Sequence, residues 1–166
     1  MTNETVQVAI IMGSDSDLPV VEASFSILDD FGVKYTKNVM SAHRTPHDVM
    51  ELIKNSEENG CKVFIAAAGM AAHLAGAVAA HSTKPVIGIP IESGGMGGID
   101  SLLSTAMMPP GVPVATVAVG KSGAKNSAIL AVQILATSDE DLAQKLVEYK
   151  QNMRSEVLEK DKKLNS

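Results

Sequence analysis

The sequence predicts an α/β protein with a three-layer, doubly wound parallel sheet of five strands. Short apolar runs alternate with segments of helical periodicity, the pattern of repeated βαβ units with right-handed crossovers. Aromatic residues are only 3% of the chain, so the core must be built from Ala, Val, Ile, Leu and Met, which suits strands covered on both faces. A length of 166 residues, with 45% hydrophobic and 20% charged residues, is that of one soluble globular domain over 1–166, with a core at 6–137.

Each element has a local reason. "VQVAIIM" (6–12) is a buried first strand closed by "GSDSD". Leu18, Val21, Phe25 and Leu28 then share one helical face, and Gly32 stops that helix. "VKYTKNVM" (33–40) is a less apolar strand nearer an edge. Thr45-Pro46 supplies an N-cap and an N1 proline, Asp48 stands where a capping-box acid belongs, and the helix ends at Gly60. "CKVFIAAAG" (61–69) is the third strand and "MAAHLAGAVAAH" (70–81) an Ala-rich helix. "KPVIGIPI" (84–91) is the fourth strand, followed by a mobile Gly-rich loop, "ESGGMGG", and a short helix "IDSLLSTAMM" capped by Asp100 or Ser101. "VPVATVAV" (112–119) is the fifth strand and "AKNSAILAVQILAT" (124–137) its helix.

The last segment, about 139–160, places Leu142, Leu146, Tyr149, Met153 and Val157 on one stripe. It follows a sheet that is already complete, so the stripe is expected to cover a neighbouring subunit. The tail "DKKLNS" is expected to fray.

Composition also excludes functions. A net charge of −5 argues against a nucleic-acid surface. No apolar stretch has transmembrane length, and the polar N-terminus "MTNETVQ" has no signal-peptide core, so the expectation is a cytoplasmic protein away from membranes. The lone Cys61 reads as a small buried hydrophobe. No Cys/His cluster has zinc spacing and no acidic cluster has magnesium spacing, so a metal-free mechanism is the working expectation.

In doubly wound sheets, ligands bind beyond the carboxyl ends of the strands. Three chemically rich connections fall there. In "MGSDSD", Ser14 and its neighbours can present backbone N–H groups to a phosphate while Asp17 accepts from ribose hydroxyls; plain helix capping is the equal alternative. In "SAHR", Arg44 can clamp a phosphate with its fork of donors, against the alternative of a solvated pairing with Asp48, and His43 can shuttle protons near neutral pH. In "AGMAAH", His73 reaches the same sheet end in a supporting role, whereas His47 and His81 read as structural. Two decoys fall away. "VGKSG" lacks the first P-loop glycine, having Ala115 there, and "SGAK" lacks the companion motifs of a penicillin-type acyl transferase.

Taken in order, "MGSDSD", "SAHRTP", "AAHLAG", "DSLLS", "MPPGVPVATVAVG" and "GAKNSAILAVQILA" resemble the bacterial 5-(carboxyamino)imidazole ribonucleotide mutase family of purine biosynthesis, from about Val6 to about Thr137. The resemblance implies a flavodoxin-like fold, a homo-octamer, and transfer of a carboxylate from the exocyclic nitrogen to carbon 4 of a phosphorylated aminoimidazole ribonucleotide, with neither cofactor nor metal. It also implies a functional link to an ATP-dependent synthetase that makes the substrate. Carried over by motif, His43 is the catalytic acid/base, and Ser14, Asp17, Ser41, Arg44, Gly69 and His73 contact substrate. The chain departs from the family pattern at Met70, Ala75 and Met107, where Gly, Pro and Gln are expected. A direct carboxylase using CO₂ and a non-catalytic ribonucleotide-binding module are the alternatives.

Overall fold

The structure, a computed structural model, describes residues 5–166. The first four residues of the polar N-terminal stretch lie outside the described residues. Five parallel strands form one sheet in the order β2-β1-β3-β4-β5. They are β1 (Val8–Met12), β2 (Tyr35–Val39), β3 (Val63–Gly69), β4 (Val86–Ile91) and β5 (Ala115–Thr116). The helices are α1 (Leu18–Phe31), α2 (Pro46–Glu58), α3 (Leu74–His81), α4 (Ile99–Ala106), α5 (Lys121–Ala136) and α6 (Glu140–Leu164). That strand order is the flavodoxin-like one, with its switch point between β1 and β3.

Side-chain alternation divides the core into two layers. Val8, Ile10 and Met12 face one way and pack with Val21 and Leu28 of α1 and Ala128 and Val132 of α5. Ala9 and Ile11 face the other way and pack with Val49 and Ile53 of α2 and Leu74 and Val78 of α3. Because both faces are covered, β1 and β4 are buried along their whole length, while β2 at the edge is only half-buried. The register brings the carboxyl ends level, since Met12 sits opposite Val39 on one side and Ala67 on the other. The connections after β1, β2 and β3 therefore emerge side by side.

Several expected boundaries move, each for a physical reason. The helix after β3 begins at Leu74 rather than Met70, because Met70 has φ +55°, outside the right-handed helical region. Thr45 does not cap α2 with its side chain. Its hydroxyl instead donates to the Ser41 carbonyl (3.1 Å) and accepts from the Ser41 N–H (2.9 Å), tying off the preceding loop, and no capping box forms with Asp48. Pro46 does open the helix at its first position. At α4 the N-cap is Gly98, while Ser101 turns inward and donates to the carbonyls of Ile91 and Gly98 (2.9 and 3.0 Å).

The fifth strand pairs over two residues only. Pro113 has no N–H to give a ladder, and beyond Thr116 single bonds from Val117 to Gly88 and from Gly120 to Pro90 hold the chain against β4. Gly32 ends α1 in the left-handed conformation, φ +73°, as its position anticipates.

The tail does not fray at Asp161. Helix α6 runs to Leu164, with Lys162 and Lys163 in its last turn facing the negative end of the helix dipole. Its stripe is also divided. Leu142 is buried, and Leu146 and Tyr149 pack on this chain's own core, Tyr149 against Phe31 with ring centroids 5.6 Å apart. Val147, Met153, Val157 and Leu158 are exposed. Among the described residues no helix is long and apolar enough to cross a membrane.

Candidate active site

The level ends of β1, β2 and β3 open onto a cleft of about 560 Å³. All seven residues singled out from the sequence line it: Ser14, Asp17, Ser41, His43, Arg44, Gly69 and His73. Neither Lys121 nor Ser122 of the P-loop-like decoy does.

After β1, Ser14 caps a single turn of 3₁₀ helix (Asp15–Asp17) that leads into α1. Its hydroxyl accepts from the Ser16 N–H (3.3 Å), and its own N–H donates to Asp17 (3.2 Å). Capping does not remove these residues from the cleft, because Asp17 is both the reciprocal partner and part of the cleft wall. Asp17 is almost wholly buried, at 4% exposure. Burial pushes its carboxyl above the usual aspartate value, against the lowering effect of hydrogen bonds from Ser14 and Ser16, and the nearby Asp15 charge adds to the rise.

After β2, the Ser41 hydroxyl accepts from the backbone N–H groups of both His43 (3.3 Å) and Arg44 (3.2 Å). Its lone pairs are thus engaged and its O–H remains as the donor for a ligand. The turn presents the two side chains together. Arg44 reaches across to donate to the Gly13 carbonyl (2.8 Å), and it makes no ion pair with Asp48. One of five guanidinium donors is used in this way, and it holds the fork over the β1 connection.

After β3, His73 precedes the first turn of α3 and makes no capping hydrogen bond. Its Nδ1 lies 2.7 Å from Nε2 of His43, with the rings edge to face at 75° and centroids 4.8 Å apart. Strand β1 separates the two connections in the sheet, so this contact closes the cleft from both sides.

Ser16, Met70 and Ser93 also line the cleft, in stretches the sequence marked out without singling these residues out as contacts. Ser93 belongs to the Gly-rich loop after β4. Gly69 lets it in, since a Cβ on Gly69 would stand 1.8 Å from Ser93 Oγ and 3.2 Å from the Ile91 carbonyl. The signal available was a glycine at the very end of an otherwise alanine-lined strand. Met70 is the one non-glycine residue at positive φ among the described residues, and it stands on the cleft rim at 61% exposure. Ala75 is buried on the inner face of α3, and Met107 is exposed outside the cleft. Cys61 is buried as expected. Its thiol donates to the Val63 carbonyl, and burial pushes it above the usual thiol value, away from nucleophilic use.

The fold and cleft define a flavodoxin-like protein with a cleft at the switch point of its sheet. The chain belongs to the AIR carboxylase family, whose pattern matches residues 7–156. It is 51% identical over 158 residues to the N5-carboxyaminoimidazole ribonucleotide mutase of Thermotoga maritima, covering 95% of this chain and 91% of that protein. The Bacillus subtilis protein of the same name is 52% identical over 157 residues, covering 95% and 97%. The crystal structure of Treponema denticola PurE superposes with a TM-score of 0.88 at 31% identity, covering 96% of this chain and 99% of that one.

Proposed function

We propose that the protein is an isomerase that converts 5-(carboxyamino)imidazole ribonucleotide to 4-carboxy-5-aminoimidazole ribonucleotide in purine biosynthesis. One coincidence carries this reading. The cleft gathers an imidazole pair, a guanidinium and a buried carboxylate, in a chain that matches proteins named for that activity over 95% of its length.

Arg44, with Ser14 and Ser41, holds the ribonucleotide phosphate by charge-assisted hydrogen bonds. Asp17 takes the ribose hydroxyls. The N–CO₂ bond breaks with its electron pair going to nitrogen, and His43 gives that nitrogen a proton. Carbon 4 then attacks the released CO₂, and the proton it sheds as the ring regains aromaticity returns to His43. The proton is borrowed and repaid and no redox change occurs, so the scheme calls on neither cofactor nor metal. The small side chains Ala68, Ala71 and Ala72, with the Ser93 loop, form the wall that keeps CO₂ in place.

The exposed apolar residues of α6, Met153, Val157 and Leu158, serve subunit contacts in a homo-octamer. The protein works in the cytoplasm on substrate supplied by an ATP-dependent synthetase.

The test is incubation of the protein with 5-(carboxyamino)imidazole ribonucleotide, without ATP or metal, and separately with the uncarboxylated aminoimidazole ribonucleotide plus bicarbonate. Conversion of the first alone is the expected result. Turnover of the second mixture alone would support the direct carboxylase, the reading favoured by the family's name. Silence in both with ligand bound would leave a non-catalytic ribonucleotide-binding module.

A further inference from the structure

We infer that His73 is the positioning residue that selects which nitrogen of His43 meets the substrate and holds the second proton of a shared pair, an inference that rests on the function proposed above. The two facing nitrogens, Nε2 of His43 and Nδ1 of His73, are 2.7 Å apart. At that distance two N–H groups collide and two lone pairs repel, so one hydrogen lies between them. Nε2 of His43 is thereby occupied. Nδ1 is the nitrogen left to exchange a proton with a ligand.

The pairing also couples the two nitrogens of His43. When Nε2 carries the shared hydrogen and donates it to His73, neutral His43 has a lone pair on Nδ1 and acts as a base. Taking the proton from carbon 4 puts a third proton on the pair. The shared hydrogen then crosses to Nδ1 of His73 with no heavy-atom movement, and the positive charge goes with it. His43 is left neutral with its hydrogen on Nδ1, ready to protonate the departing nitrogen of the next substrate. As that proton leaves, the shared hydrogen returns, and the pair goes back from three protons to two.

A structural role does not account for the placement of His73. The side chain is exposed and caps nothing on α3, and its ring contact is with His43 across the cleft. The charged groups lining the same cleft are Asp17, from the connection after β1, and Arg44, from the connection after β2. Neither takes that place in the structure, since Arg44 only donates and Asp17 makes no hydrogen bond to His43, whose Nε2 meets His73.

Two variants and one spectrum test this. His73→Phe keeps a ring but loses the acceptor, and His73→Gln keeps an amide oxygen able to accept from Nε2. The expected result is a fall in kcat of roughly 10- to 100-fold for His73→Phe with KM held within about twofold, and partial recovery in His73→Gln. In ligand-free protein labelled with ¹⁵N-histidine, a scalar coupling between the two facing nitrogens should report the shared hydrogen and vanish in His73→Phe. A rise in KM at unchanged kcat, or a His73→Gln variant no better than His73→Phe, would overturn the inference. So would absence of the coupling in the parent. If the parent converts neither ribonucleotide, the proposed function falls, and the shared hydrogen is then decided by the coupling alone.

Discussion

The two halves of the sheet carry loops of opposite character. After β1, β2 and β3 the connections are short and bonded to one another, Arg44 to Gly13 and His43 to His73, with Ser41 bracing its own turn through the N–H groups of His43 and Arg44. After β4 and around β5 they are long and rich in Gly, Pro and Met, and Met96, Ile99, Leu103 and Met107 stand exposed. One half is cross-linked by side-chain hydrogen bonds. The other presents apolar surface and contributes a single side chain, Ser93, to the cleft. The difference teaches that in this fold the switch point gathers the titratable and hydrogen-bonding side chains, while the P-loop-like motif lies outside the cleft.

Substitutions that set one half against the other test this. Arg44→Ala should weaken ribonucleotide binding by about 1.5–3 kcal/mol, the worth of hydrogen bonds to a charged group. Lys121→Ala, in the P-loop-like stretch of the other half, should leave the affinity unchanged. Titration calorimetry with the product ribonucleotide reads both, and equal losses would erase the distinction between the halves.

Gly69→Ala tests a point where the loops of the two halves meet. The new methyl would collide with Ser93 and crowd the Ile91 carbonyl, so the loop after β4 must shift, at a cost of about 1–3 kcal/mol. Urea unfolding measures this, and a variant as stable as the parent would show that the loop yields freely. The smallest effect belongs to Met70. Its left-handed backbone costs roughly 1–2 kcal/mol for a residue with a Cβ, partly offset in a glycine by the greater freedom of the unfolded chain. Met70→Gly should therefore raise the melting temperature by a few degrees at most. A fall would mean that the Met70 side chain contributes more than its backbone strain costs.

The same contrast governed what could be read in advance. The α/β class and the location of the cleft were legible because β1, β3 and β4 are apolar runs and because His43, Arg44 and Asp17 sit within a few residues of strand ends. The contact between His43 and His73 was not legible, since it depends on the level register across β1, a pairing that lies beyond local sequence. Thr45 does stand at the N-cap of α2, but its hydroxyl has two possible uses, and tertiary geometry chose the loop of Ser41 over the helix. Ser93 could not be singled out within its loop because glycine-rich loops carry no periodicity. The division of α6 escaped because a stripe such as Leu142, Leu146, Tyr149, Met153 and Val157 reads alike whether it packs on its own chain or on another.

The most direct test of the account is His43→Asn, assayed for turnover of 5-(carboxyamino)imidazole ribonucleotide and for binding of the same ribonucleotide scaffold. With His43 as the proton carrier, turnover should fall by about 10²- to 10⁴-fold while binding stays close to that of the parent, because Arg44, Asp17 and Ser41 remain in place. Turnover equal to the parent's, or loss of binding in step with loss of activity, would contradict it.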